Sequence, residues 1–348
     1  MSQYLVLSKI ELQNANAIAG FTWGFPAITQ FLGFTHALSR KISVNYEGTY
    51  NTEFVGCMVV GNKVSNKVYQ PKPYADFEFL QSKNPPVLAK HKASSPPIIE
   101  EGKLNTTVSL VLELSNYLLL TTEQATEFEN KVKAMCSNMR IAGGSVLSIG
   151  KVQLFLANTK QDESKQLIHI KRLCMPGFVL KDQSDYLEKH TEKLAMENSE
   201  HASLVAWLDF SASKVAAIPE LAEGQSLPND QTDAKWQYLK KPFDGYLVPI
   251  MAGYKAIAQP LAKEEVLGLR VKPDPEDQDV KAVIYVEAVH SVAEWISMHK
   301  VTQLSDYIWR YYQDGEWYLC QQKTRPSSSN NEPLTNKNLF NNLFKEEP

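Results

Sequence analysis

Between Leu12 and Leu38 the chain reads LQNANAIAGFTWGFPAITQFLGFTHAL, and this stretch constrains the fold more than any other. It holds a strand end, the amides Gln13, Asn14 and Asn16, a Trp-Gly-Phe-Pro turn from Trp23 to Pro26, and an amphipathic helix. Together these make up about one βα unit. Side-chain amides cost free energy when buried unpaired, so three of them beside a strand end need partners. Trp23 and Phe25 flank a glycine that lets a backbone or a flat ligand come close. Amides, aromatics and glycine in this combination suit a surface that stacks and hydrogen-bonds single-stranded nucleic acid.

The rest of the N-terminal half extends that unit. Tyr4 to Leu12 alternates loosely and predicts the first strand. Pro26 opens a helix over about Ala27 to Lys41. Ser43 to Val60 predicts two strands, and Val108 to Leu114 a central one. Thr122 to Met139 predicts a helix capped by Thr122, with Phe128, Val132, Met135 and Met139 on one stripe. Gly143-Gly144 ends that helix, and Ser145 to Leu156 returns as strand. The order strand–helix–strand–strand–helix–strand is the split βαβ pattern of ferredoxin-like α+β folds.

Two segments depart from this regularity. Residues 61–103 carry seven lysines against four acids, with six prolines and little apolar periodicity. That is too long for a plain connection and predicts an extended hairpin or projecting loop. From Pro326 the tail is low in complexity and predicts a flexible terminus. Between them, residues 181–325 read as a mixed β-rich and helical half, with helical segments dense in aromatics from Ala288 to Tyr312.

Composition sets limits. With 36 basic and 39 acidic residues, the formal net charge is −3. This argues against a nonspecific nucleic-acid binder, whereas a protein that holds one short RNA end needs only a local basic surface. The four cysteines have no CxxC spacing, so they predict buried thiols rather than a disulfide framework or a zinc site. No cofactor or metal-ligand motif is present. The N-terminus reads as a strand, and no apolar run reaches about 18 residues, so a cytoplasmic protein without membrane contact is expected.

Several short motifs follow one another along the chain: the Leu12–Leu38 stretch, Ile99-Glu100-Glu101-Gly102, Met139-Arg140-Ile141-Ala142-Gly143-Gly144-Ser145, Met175-Pro176-Gly177-Phe178, Leu247-Val248-Pro249-Ile250 and Glu294-Trp295. In this order the chain resembles the Cas-five-type (Csy-two) subunits of type I-F CRISPR surveillance complexes, in the repeat-associated (RAMP) superfamily. The resemblance covers most of residues 4–312. It implies an RNA-recognition-motif-like palm over 1–180, with the 61–103 insertion as a thumb, a C-terminal extension over 181–325 and a tail over 326–348. It implies a noncatalytic subunit that holds the 5′ handle of the CRISPR RNA and caps the backbone filament. Its implied partners are the CRISPR RNA, the large subunit, the Cas-seven-type backbone subunit and, indirectly, target DNA. The thumb lysines Lys63, Lys67, Lys72, Lys83, Lys90 and Lys92 would point towards the adjacent subunit and the guide–target strand.

Gln13, Asn14 and Asn16 are the foremost candidates for RNA contact, because amides can read base edges or a 2′-hydroxyl. The alternative is that they tie a bulge or turn to its neighbours. Trp23 either stacks on a base or fills the core beneath the first helix, with the core favoured. Arg140 at a helix C-terminus, followed by Gly143, Gly144 and Ser145, would cradle a phosphate, or else the glycines are only a helix cap. On a strand, His169 and Lys171 would share one face and, with Arg172, form a basic stripe or a solvated edge. Arg40 ends the first helix, where a cation complements the dipole in any case. His36 raises the rival of a metal-independent endoribonuclease cutting CRISPR repeats, although a core histidine explains it more simply. A protein-only assembly factor is the second rival.

Overall fold

The computed structural model describes residues 2–45, 52–80, 82–83, 98–99, 101–157, 160–197, 199–221, 228, 232–262 and 282–322. Among these residues the fold is α+β. The N-terminal part runs β1 (Tyr4–Asn16), the small pair β2 (Ile18–Ala19) and β3 (Thr22–Trp23), then α1 (Ile28–Asn45) and β4 (Phe54–Asn66). Short strands follow in the insertion: β5 (Val68–Tyr69), β6 (Glu78–Phe79), β7 (Ser82–Lys83) and β8 (Ile98–Ile99). Next come β9 (Lys103–Leu114), α2 (Thr122–Ser137), β10 (Arg140–Ile141), β11 (Gly144–Ile149), β12 (Val152–Phe155), α3 (Lys160–Cys174) and β13 (Phe178–Asp182). In the sheet β11, β1, β9 and β4 are successive neighbours, each pair antiparallel. Counting the long strands in chain order, that arrangement is 4-1-3-2.

Several expected boundaries shift. The first helix continues to Asn45, so Arg40 and Lys41 lie one turn inside its end. Of the two strands expected between Ser43 and Val60, one is seen as Phe54–Asn66, which runs on past Val60; α1 extends over Ser43 to Asn45, and residues 46–51 lie outside the described residues. The second helix is capped by Thr121, whose hydroxyl accepts from the Gln124 N–H while the Gln124 side chain accepts from the Thr121 N–H. That helix stops at Ser137, well before the glycines. Gly143-Gly144 instead belongs to a hairpin. Ala142 and Gly143 carry φ of +50° and +73°, the left-handed pair that a tight two-residue turn between β10 and β11 requires. Arg140 is therefore a strand residue. His169, Lys171 and Arg172 lie on α3 and not on a strand. The buried Ile170 and Cys174 reveal the helical period, and residues two apart on a helix face nearly opposite ways.

The chain continues through α4 (Ser184–Met196), α5 (Ala202–Ser211), β14 (Val215–Pro219) and β15 (Ala234–Tyr238). It then runs through β16 (Leu247–Ala256), β17 (Leu261–Ala262), β18 (Ala282–Val283), β19 (Val286–Ser297), β20 (Arg310–Asp314) and β21 (Trp317–Gln321). The region expected to be helical after Ala288 is thus mostly strand, with 3-10 turns at Met298–Lys300 and Leu304–Tyr307. Among the described residues eleven strands join one sheet, in the order β10-β11-β1-β9-β4-β13-β19-β16-β21-β20, with β12 also on β1.

Two compact units emerge. One comprises Met1–Leu180, Met251–His290 and Ile296–Pro348 within the described residues. Its core includes Trp309, fully buried, whose indole N–H donates to the Leu180 carbonyl at 3.0 Å. Arg310 pairs with the buried Glu113 carboxylate in the same unit. The other comprises Lys181–Ile250 and Ser291–Trp295. Its core gathers Phe210, Leu247 and Val292, with Tyr186 stacked on Phe243 at 4.3 Å. All four cysteines are buried, and burial pushes the thiols of Cys57, Cys136 and Cys174 up to about 12. No described helix is long and apolar enough to cross a membrane.

Candidate nucleic-acid interface

The burial pattern along β1, β9 and β4 changes at one level. In the first part both faces are covered. Val6, Val111 and Met58 pack with Ile170 and Cys174 of α3. The opposite face, with Leu5, Leu7, Leu110, Leu112, Cys57 and Val59, is equally buried. There α1 reaches the strands: Thr35 bonds the Cys57 thiol, and the Ser39 hydroxyl accepts from the Phe54 N–H at 2.9 Å.

The coverage ends at α3's C-terminus, where last-turn carbonyls need donors. Asn62 Nδ2 donates to the Cys174 and Pro176 carbonyls at 2.6 and 2.7 Å. Lys9 Nζ reaches the Pro176 carbonyl at 3.2 Å. Ser109 joins them, donating to Asn62 Oδ1 at 2.7 Å and accepting from the Lys9 N–H at 2.9 Å. Three neighbouring strands thus anchor the Met175–Gly177 loop across their middle.

Beyond that anchor one face is open. Leu12, Leu104, Thr106 and Val108 stay buried. Their alternates, Glu11, Gln13, Asn105 and Lys63, are exposed, and Thr107 is half-buried. Register aligns them in rows. Ser148, Glu11, Thr107 and Lys63 form one row across four strands. Arg140, Ser145 and Gln13 form another. The surface is polar, with cations at both margins.

Asn14 and Asn16 close the distal end of β1. Asn14 adopts φ +57° at a bulge, its N–H donates to Asn105 Oδ1 at 3.1 Å, and its own Oδ1 accepts from Lys67. Asn16 folds onto the following turn, donating to the Ile18 carbonyl at 3.0 Å and accepting from the Ile18 N–H at 3.1 Å. Asn16 thus serves as a structural tie, while Gln13 is exposed. Gly144 lies so close to β1 that a Cβ there would stand 2.9 Å from Ala15, which gives this glycine a packing role.

Trp23 departs from its expected place in the core: it is 41% exposed. It packs on Gly102, where a Cβ would come within 2.8 Å of its ring, and on Phe79 at 5.0 Å between centroids. The Lys67 N–H donates to the Lys103 carbonyl and the Leu80 N–H to the Lys67 carbonyl, so the insertion is tied to the sheet at its neck. Asn66 Oδ1, at the same neck, is buried without a hydrogen-bond partner among the described residues. A cleft of about 610 Å³ opens between Trp23, Tyr69, Glu78, Phe79 and Leu80.

The structure therefore gathers Gln13, Asn14, Asn16, Trp23, Lys63, Lys67, Arg140, Gly143, Gly144 and Ser145 about one end of the sheet. Lys63 sits on β4 in the main sheet, and Lys72 in the turn of the β5–β6 hairpin. Lys83 is on β7, whereas Lys90, Lys92 and the 326–348 tail lie outside the described residues. Other candidates lie elsewhere. Arg40 is on α1, and His169 and Arg172 are exposed on α3. Lys171 donates to the His299 carbonyl at 3.0 Å. His36 is half-buried on α1, and burial together with Arg40 lowers its pKa. Sequence reasoning missed Asn105 and Thr107. The signal in the sequence is faint: Leu104 stands alone between the polar Lys103 and Asn105, and two threonines precede the mostly apolar stretch from Val108.

Comparison with known proteins bears out the family resemblance. A family model described as CRISPR-associated protein (Cas_Csy2) matches residues 5–320. The CRISPR-associated protein Csy2 of Pseudomonas aeruginosa (strain UCBPP-PA14) is 30% identical over 329 residues, covering 92% of this chain and 94% of the relative. The chain belongs to the Csy2 family of CRISPR-associated proteins.

Proposed function

We propose that this protein is a noncatalytic subunit of a type I-F CRISPR RNA-guided DNA surveillance complex and holds the 5′ handle of the guide RNA. In this reading it acts in the cytoplasm, caps the filament of backbone subunits and pairs with the large subunit. The 4-1-3-2 antiparallel sheet with its two crossing helices is read as a ferredoxin-like palm of the RAMP superfamily. The observation that carries the proposal is the half-open sheet face beside the insertion, with Gln13, Ser145 and Arg140 in one row and Lys63 in the next. An open sheet face with amides, a guanidinium and nearby aromatics is the surface by which such folds hold single-stranded RNA. Base pairing in the guide supplies target specificity, and the protein supplies shape, charge and a fixed register for the guide end.

The test is co-purification of the tagged chain with a CRISPR array and the candidate subunits, followed by sequencing of RNA retained through a salt wash. One short guide species with a constant 5′ end is expected, together with large and backbone subunits. Protein partners without RNA would overturn the handle-holding role in favour of an assembly factor. Specific cleavage of repeat RNA by the chain alone, lost in His36→Ala, would overturn the noncatalytic reading.

A further inference from the structure

The cleft beside Trp23 has a composition that the open sheet face does not. It combines aromatic rings with one carboxylate. The β5–β6 register sets Tyr69 opposite Glu78 and Val68 opposite Phe79. The Tyr69 hydroxyl donates to Glu78 Oε2 at 2.9 Å, which holds the carboxylate at the cleft. Trp23 and Tyr69 are 41% and 44% exposed, so both rings present free surface. Trp23 is backed by Gly102 and Phe79, which keep its ring in place.

A carboxylate repels phosphate, so the cleft disfavours the backbone of a nucleic acid. The cations stand outside it: Lys67 lies just before β5 and is tied to Asn14, and Lys63 is on the sheet. This arrangement sorts the two parts of a nucleotide, phosphate towards the lysines and base towards the rings. A carboxylate accepts but does not donate, so it selects a base edge that presents donors. Guanine alone offers two adjacent donors on its Watson–Crick edge, the N1–H and the N2 amino group. Adenine and cytosine offer one amino group, and uracil a single imino N–H.

We propose that the cleft formed by Trp23, Tyr69, Glu78 and Phe79 receives one unpaired nucleobase, guanine in preference, stacked on the rings and read by Glu78. The inference rests on the guide-holding reading and adds a base-specific pocket to it. The base comes either from the constant 5′ segment of the guide or from a strand of the target DNA.

The experiment uses the assembled complex with the full chain. Guides are prepared with each guanine of the constant segment replaced in turn by inosine, which lacks the N2 amino group, or by an abasic residue. Release of labelled guide is timed in competition with unlabelled guide. A parallel arm places inosine in the target strands and times target release. One position is expected at which inosine speeds release about tenfold and an abasic residue more, in line with loss of part of a specific base contact. Glu78→Gln should abolish the difference between guanine and inosine there, and Tyr69→Phe should reduce it by freeing the carboxylate. Discrimination in the target arm only would assign the pocket to DNA. Guides that stay bound with no guanine-dependent position in either arm would overturn the pocket while leaving the guide-holding role intact. Discrimination that survives Glu78→Gln would also overturn it. Failure of the complex to retain any guide would overturn the broader reading itself.

Discussion

The same three strands, β1, β9 and β4, behave differently along their length. Over Leu5–Leu7, Leu110–Leu112 and Cys57–Val59 every side chain is buried, because helices cover both faces. Over Glu11–Gln13, Asn105–Thr107 and Lys63–Ser65 burial largely alternates or is lost. The strands stay antiparallel partners through both halves, with register shifts between Leu12 and Ala15 and between Gly61 and Lys63 on the open side, and the contrast in burial follows what covers them. One half is a stabilising core and the other an outward surface on the same scaffold. The largest expected effect in stability follows from that contrast. Leu110→Ala should cost about 2–5 kcal/mol, as large-to-small changes in packed cores do. Thr107→Ala, three residues earlier, should cost less than about 0.5 kcal/mol. Equal urea midpoint shifts in the two variants would break the comparison.

The border between the halves is the next place to press. Asn62 satisfies two carbonyls at the end of α3 and accepts from Ser109. Asn62→Ala should therefore cost about 1–3 kcal/mol by leaving those partly buried groups unpaired. Hydrogen exchange should quicken in the Met175–Gly177 segment. A stability loss without local exchange would place the effect elsewhere.

The open half should respond in the opposite manner. Gln13→Ala combined with Arg140→Ala should shift unfolding by only about 0.5 kcal/mol per site, since both side chains are exposed. Guide retention should nevertheless fall. Arg140→Ala alone should lower the steepness of the salt dependence by roughly 0.7, the value for one phosphate contact to a single strand. Unchanged retention would mean that RNA does not lie on this face.

Much of this contrast is legible in the sequence, and its limits have physical causes. The mostly apolar stretch from Val108 to Leu114, broken only by Ser109 and Glu113, marks a doubly covered strand. The helix after Pro26 is legible from its 3.6-residue spacing and its proline start. The hairpin at Ala142-Gly143 is not, because a left-handed alanine has no strong local signal, and Gly-Gly after a helix reads equally well as a cap. The strand assignment for His169 to Arg172 rests on alternation over four residues, too short a window to separate period 2 from period 3.6. Trp23 illustrates another limit: large aromatics are usually buried, but here Gly102 gives the ring a seat at the surface. The meeting of Lys67 with Asn14 joins residues 53 apart, and no local pattern foretells it.

The smallest expected effect concerns pH and the turn that follows the open end of β1. Gly20 takes φ +62° between β2 and β3, and the next N–H, of Phe21, donates to His290 Nε2 at 3.0 Å. An acceptor nitrogen must be unprotonated, and burial lowers the His290 pKa below its ordinary 6.5. The unfolded chain therefore binds a proton near pH 6 more readily than the folded chain does. Stability from this group is full above the unfolded value and is lost as pH falls below it. His36, lowered by burial and by Arg40, contributes with the same sign. Urea midpoints should fall between pH 7 and pH 5, and His290→Gln should flatten part of that slope. Glutamine retains an oxygen that can accept from Phe21 but does not titrate. The flattening should be accompanied by loss of the pH dependence of the protection factor at Phe21, whereas amides of Leu110 and Val111, between two covered faces, should exchange only through global unfolding. A full slope in His290→Gln would assign the titration to His36 or another group and leave the turn at Phe21 as insensitive to pH as the covered half.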